Sequence, residues 1–303
     1  MKLFGAKRAA SEAGDVDAKL KEISDRLDRL EDLIEDLRPH IRMLPAILRK
    51  LYLADMELPA PYNLTAERFP FRSQNEEDGL LLALFKRIGM TDRRAVEIGC
   101  GMNGGNSGFL VAECGWTGLM MDANRAKIAA IKQRYAGHAV TTVKAKVTRE
   151  TIDGALTHHG FTGELDLLSI DIDGMDYWVW EAITACQPRV VAIEYNWLFG
   201  PERSVTIPYD AEFEVGAVGT RAYRGASLAA LVHLGRRKGY RLVATERVNA
   251  IFLRNDVAPA ISEIDTVRGY RPPSNMARSN DVFAKIEKEG LPLVTVTESG
   301  ARA

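Results

Sequence analysis

The sequence predicts an α/β fold: a seven-stranded, mostly parallel sheet with a terminal antiparallel hairpin, preceded by an N-terminal coiled coil. Three observations predict it. Between residues 76 and 254, short Val-, Ile- and Leu-rich runs alternate with helix-period segments, as in a sheet covered on both faces. Only residues 246–249 separate the last two runs, too few for a parallel crossover, so these two must pair as a hairpin. Ahead of the sheet, Val16, Leu20, Ile23, Leu27, Leu30, Ile34, Leu37, Ile41, Leu44 and Leu48 recur in alternating steps of four and three, a heptad seam.

The coil is expected from Val16 to Arg38, because Pro39 and Pro45 each remove a helix hydrogen bond and clash with the preceding turn. With Leu20, Leu27 and Ile34 at a, the d positions are Ile23, Leu30 and Leu37. So narrow a stripe suits a partner helix better than a globular core, and a parallel dimer or trimer is expected. The domains are then residues 1–50 for oligomerisation, 51–70 as a Pro-containing linker, 71–256 as the α/β domain and 257–303 as a tail. Ser73-Gln74-Asn75-Glu76 reads as a capping box for a helix over residues 76–87. Strands are expected at 95–98, 117–122, 140–145, 167–172, 190–194, 241–245 and 250–254. The helices between them are expected at 107–114, 125–135, 149–156, 177–185 and 227–238. The tail shows one short helical pattern near residues 282–287.

Composition narrows the function classes. Apolar residues at 46% and charged residues at 27% are those of a globular chain. The formal charge of -1 leaves no basic surplus for a nucleic acid partner. No apolar run approaches the length of a transmembrane segment, and residues 1–10 lack the apolar stretch of a secretory signal. Cys100, Cys114 and Cys186 have no metal-binding spacing and read as reduced thiols, which points to a cytoplasmic protein.

The chemistry concentrates in two runs. The first is Ala95-Val96-Glu97-Ile98-Gly99-Cys100-Gly101-Met102-Asn103-Gly104-Gly105, a strand turning through glycines into a helix. Gly99 and Gly101 allow close backbone approach to a ligand lying at that helix's N-terminus, and Asp122 closes the next strand where a carboxylate can accept ribose hydroxyls. Two nucleoside cofactors fit. Gly99-x-Gly101-x-x-Gly104 satisfies the dinucleotide fingerprint of an NAD-dependent oxidoreductase. Glu97, the late-starting helix and the terminal hairpin favour S-adenosylmethionine, because Glu97 repels a pyrophosphate and suits the methionine ammonium.

The second run is Ser169-Ile170-Asp171-Ile172-Asp173-Gly174-Met175-Asp176, followed on the next strand by Glu194-Tyr195-Asn196. Polar residues at the ends of adjacent buried strands occupy the usual site positions of such sheets, and Asp176 reads equally as a helix cap. The histidines are not candidates for a base. His138, His158, His159 and His233 fall toward the amino edge, and His40 lies in the coil segment. Residues 197–225 are too long for an idle loop and read as an acceptor-binding lid carrying Tyr209, Tyr223 and Arg224.

The glycine run, the acid closing the second strand and the seven-strand order resemble class I S-adenosylmethionine-dependent methyltransferases. With residues 73–78 and 169–174 they resemble the FkbM-like group, over roughly residues 71–254. Where that group carries Asp-x-Glu-Gly, this chain has Asp171-Ile172-Asp173-Gly174. The resemblance implies cofactor contacts from Gln74, Glu97, Gly99, Gly101, Asn103, Asp122 and Asp171, and methylation of a hydroxyl on a sugar, polysaccharide or secondary metabolite. Asp171, Glu194 and Asn196 are similar in placement to the magnesium ligands of catechol-type O-methyltransferases, with Asp173 an alternative ligand. Without a metal, Asp171 or Asp173 is the base. A coiled-coil adaptor with a non-catalytic domain is the remaining alternative.

Overall fold

The computed structural model describes residues 68–270 and 276–302, together with positions 19, 21–27, 29–31, 34 and 64. The chain divides into two compact units, Met1–Leu58 and Pro59–Ala303. In the first, the described positions are α-helical and exposed, so the stripe of Ile23, Leu27, Leu30 and Ile34 faces open solvent. The rest of the predicted seam lies outside the described residues.

In the second unit the strands are β1 (Arg94–Ile98), β2 (Thr117–Asp122), β3 (Val140–Lys144), β4 (Gly163–Ile170), β5 (Cys186–Glu194), β6 (Val205–Thr206), β7 (Tyr240–Glu246) and β8 (Asn249–Arg254). All but β6 form one sheet in the order β3-β2-β1-β4-β5-β8-β7. Only β8 runs antiparallel, to β5 on one side and β7 on the other. The final strand therefore inserts between the fifth and sixth strands of the main sheet instead of extending its edge. Burial explains the insertion: Asn249 to Leu253 are all buried, which requires a neighbouring strand on each side.

The helices are α1 (Glu77–Ile88), α2 (Gly108–Cys114), α3 (Arg125–Arg134), α4 (Ile152–His158), α5 (Asp176–Ala182) and α6 (Leu228–Arg237). The first three cover one face around Phe85 and Trp116, whose rings pack at 4.8 Å. The other three cover the opposite face around Trp180 and Phe252, at 4.9 Å. Each such side chain, fully buried, contributes about 1.5–3 kcal/mol, so both faces hold the sheet flat against its helices.

Two local expectations are corrected. The capping box on Ser73 and Glu76 does not form: Glu76 precedes α1 without a side-chain cap. Instead Asp78 Oδ2 accepts the backbone N–H groups of Phe71, Arg72 and Ser73 at 2.7, 2.6 and 2.9 Å. A carboxylate in the first turn of the helix reaches all three donors because the chain folds back over it. The tail is also more ordered than its pattern predicts. After α7 (Thr266–Gly269) come α8 (Met276–Lys288), β9 (Val294–Thr297) and β10 (Gly300–Arg302), and β9 and β10 join β6 in a second sheet. That sheet and the Phe199–Phe283 ring contact tie the tail to the 197–225 loop. Among the described residues no helix is long and apolar enough to cross a membrane.

Candidate active site

The loop after β1 packs on the protein more closely than any side chain allows. Gly99 has φ +89°, and a Cβ there would lie 1.7 Å from the Asp171 carbonyl oxygen. The close approach follows from the pairing of β1 with β4, which the Asp171 N–H extends by donating to the Ile98 carbonyl at 2.8 Å. At Gly105 a Cβ would strike Glu97 Oε1 at 2.1 Å, because the loop closes directly over that carboxyl.

Glu97 is fully buried, and burial pushes its carboxyl up to about 7 against the hydrogen bonds that favour the charge. It accepts from Ser169 Oγ at 2.7 Å and from the Ser107 N–H at 2.8 Å. Glu97 thus joins β4 to the chain entering α2, with both oxygens engaged inside the protein instead of facing a ligand. Asn103 likewise braces the loop, donating to the Arg72 carbonyl at 2.9 Å. Gln74 is exposed, and neither it nor Asn103 or Gly101 lines the cavity described next.

A cavity of about 350 Å³, the scale of a small-molecule pocket, opens along the carboxyl ends of β1 to β4. Gly99, Asp122, Asp171 and Asp173 line it, together with Tyr209 and Phe213 of the 197–225 loop. Asp122 accepts from the Gly101 N–H at 3.2 Å and from the Asn124 N–H at 2.7 Å, and Lys127 Nζ lies 3.5 Å away. These bonds fix a carboxylate, with further lone pairs, on the cavity wall. It is an acceptor suited to ribose hydroxyls. Asn124, Lys127, residues 145–148 and Phe213 also line the cavity and were not picked out from the sequence. Asn124 and Lys127 lie in the turn and helix that follow Asp122, which is the available signal. Phe213 carried none beyond its place in the long loop.

Next to Asp173, Asp176 accepts from the N–H groups of Ile172 and Gly174 at 2.8 and 2.9 Å. It closes the turn that holds Asp173 at φ +58°, so its carboxylate braces this turn and does not cap α5. One oxygen from each of Asp171, Asp173 and Glu194 falls within 4.8 Å of the others. Burial, then Asp176, Asp173 and Glu97, pushes the Asp171 carboxyl up to about 8. Burial, then Asp171 and Asp176, also raises Glu194. Arg224 is the cation facing this group, donating to Asp173 and to Glu194, the latter at 3.0 Å.

This arrangement corrects the predicted magnesium ligands. Asn196 is not free to coordinate: Nδ2 donates to the carbonyls of Ala222 and Arg224 at 2.8 and 2.9 Å, and Oδ1 accepts from the Leu198 N–H at 3.0 Å. Asp173 takes its place beside Asp171 and Glu194, where the Arg224 guanidinium already supplies the positive charge. The three grouped carboxylates are thus the alternative set that includes Asp173, and Arg224 already pairs with two of them. Tyr223 does not face an acceptor. It is buried, and its hydroxyl donates to the Pro292 carbonyl at 2.6 Å, which pins the loop to the tail. Tyr209 does line the cavity, hydrogen-bonded to Glu150 with Arg149 over its ring at 3.8 Å. None of the described histidines lines it, and the three cysteines are free thiols.

Residues 73–255, more than half of the chain, match the methyltransferase FkbM domain. The chain belongs to this family. It is an S-adenosylmethionine-dependent methyltransferase, which decides between the two nucleoside cofactors that the glycine run allows. No curated protein matches this FkbM-domain chain. Among solved structures it is similar to a TehB-like S-adenosylmethionine-dependent methyltransferase from Corynebacterium glutamicum. The identity there is 12% over 71% of this chain and 98% of that one, with a TM-score of 0.33. It is also similar to an S-adenosylmethionine-dependent methyltransferase from Clostridium acetobutylicum, at 8% identity over 71% and 98% of the two chains and a TM-score of 0.37. A third is the glycopeptide N-methyltransferase MtfA complexed with S-adenosylmethionine, at 13% identity over 60% and 98% and a TM-score of 0.37.

Proposed function

We propose that this FkbM-domain methyltransferase methylates a hydroxyl oxygen of a sugar, polysaccharide or secondary metabolite, with Asp171 as the proton acceptor. The observation that carries the reading is Asp171 itself, a carboxyl on the cavity wall whose proton affinity is raised to about 8. A hydroxyl must lose its proton as it attacks, and a base titrating near working pH serves best. When bound, S-adenosylmethionine supplies the methyl carbon, and the C–S electron pair leaves with sulfur as the new C–O bond forms. Asp171 takes the hydroxyl proton. Arg224 pairs with Asp173 and Glu194, which leaves Asp171 as the carboxyl of the three with no direct ion pair. Tyr209 and Phe213 line the same cavity with aromatic rings, suited to a sugar or aromatic acceptor.

The test is transfer from methyl-labelled S-adenosylmethionine to a panel of sugars and hydroxylated metabolites, read by mass spectrometry. Asp171→Asn should keep S-adenosylhomocysteine affinity and lose about 10²–10⁴-fold in turnover. Undiminished turnover in that variant, or label found on an amine nitrogen, would overturn the reading.

A further inference from the structure

We propose that the apolar stripe of the N-terminal helix pairs with the same stripe of a second copy of this chain, in parallel and in register. Ile23, Leu27, Leu30 and Ile34 lie on one helical face and are 53%, 55%, 54% and 52% exposed. Such a stripe in water calls for a partner with the same spacing, and the charges beside it select which one. With Leu27 and Ile34 at a and Ile23 and Leu30 at d, Arg26 stands at g and Glu31 at e, both exposed. In a parallel pair the g position of one heptad faces the e position of the next heptad across the seam. Arg26 then meets Glu31 of the partner subunit, and the two-fold axis makes the contact twice. An antiparallel pair sets g against g, which brings Arg26 and Lys19 against their own kind. Charge complementarity therefore favours an identical helix in the parallel sense.

The experiment uses the full chain and measures its mass by light scattering across the micromolar range. A dimer is expected. Arg26→Glu sets a like charge against Glu31 at both contacts and should raise the dimer dissociation constant about ten-fold. Adding Glu31→Arg reverses the polarity of both contacts and should restore the wild-type value. Both positions are on the surface, so helical content by circular dichroism should not change. A monomeric or trimeric wild type, an unweakened Arg26→Glu variant, or a double variant as weak as the single would each overturn the pairing.

Discussion

Arg224 donates to Glu194 at 3.0 Å, so a residue near the end of the 197–225 loop neutralises the carboxylate that ends β5. The same guanidinium reaches Asp173, so one cation ties the loop to two strand ends. Arg224→Gln should destabilise the protein, because Glu194 and Asp171 would remain together without it. Arg224 keeps 25% of its side-chain exposure, so solvent screening limits the loss to about 1–2 kcal/mol. Urea unfolding of the variant against wild type measures it.

Gly99→Ala should be far more damaging. The added methyl would sit 1.7 Å from a backbone carbonyl, and φ +89° is strained for any L side chain. A loss above about 3 kcal/mol is expected, and with it soluble expression. A well-folded Ala variant with unchanged urea midpoint would show that the β1 loop can move off β4.

Asp122→Ala should weaken S-adenosylhomocysteine binding by about 1.5–3 kcal/mol, the scale of a lost charge-assisted hydrogen bond. Titration calorimetry reads this directly. If a folded variant keeps full affinity, Asp122 has no part in holding the ribose.

Stability should fall as pH rises from about 5 to 8. The buried Glu97 carboxyl keeps its proton up to about 7, whereas in the unfolded chain it loses that proton near its ordinary value of 4.5. Through that window the folded state binds more protons than the unfolded state, so each rise in pH favours unfolding. Glu97→Gln keeps the shape and removes the titration. Its urea midpoint should lose about 1–3 kcal/mol of the wild type's pH dependence between those limits. An identical pH slope in both proteins would place the titration elsewhere.

Much of the fold was legible because its signals are local. The strand Thr117–Asp122 runs between its sequence-predicted ends, since apolar residues, a flanking Gly115 and the closing acid define it without reference to distant chain. Residues 95–105 announced a glycine turn for the same reason, and Asp122 and Asp171 both stand on the cavity wall. The exposed heptad spacing of Ile23 to Ile34 was equally readable.

What the side chains do there was decided only by packing between residues far apart in the chain. Asn196 read as a ligand until the carbonyls of Ala222 and Arg224 took its amide. Tyr223 read as an acceptor contact until the tail brought the Pro292 carbonyl to its hydroxyl. Glu97 stands where its strand predicted, but Ser107 and Ser169 turn it inward and Gly105 closes over it. Sequence pattern reports which backbone position a residue holds, because periodicity and turn chemistry act over a few neighbours. Which carboxylate stays free for chemistry depends on donors and cations delivered by other elements. Here a single guanidinium, thirty residues beyond Glu194, left Asp171 without a direct partner in the cluster.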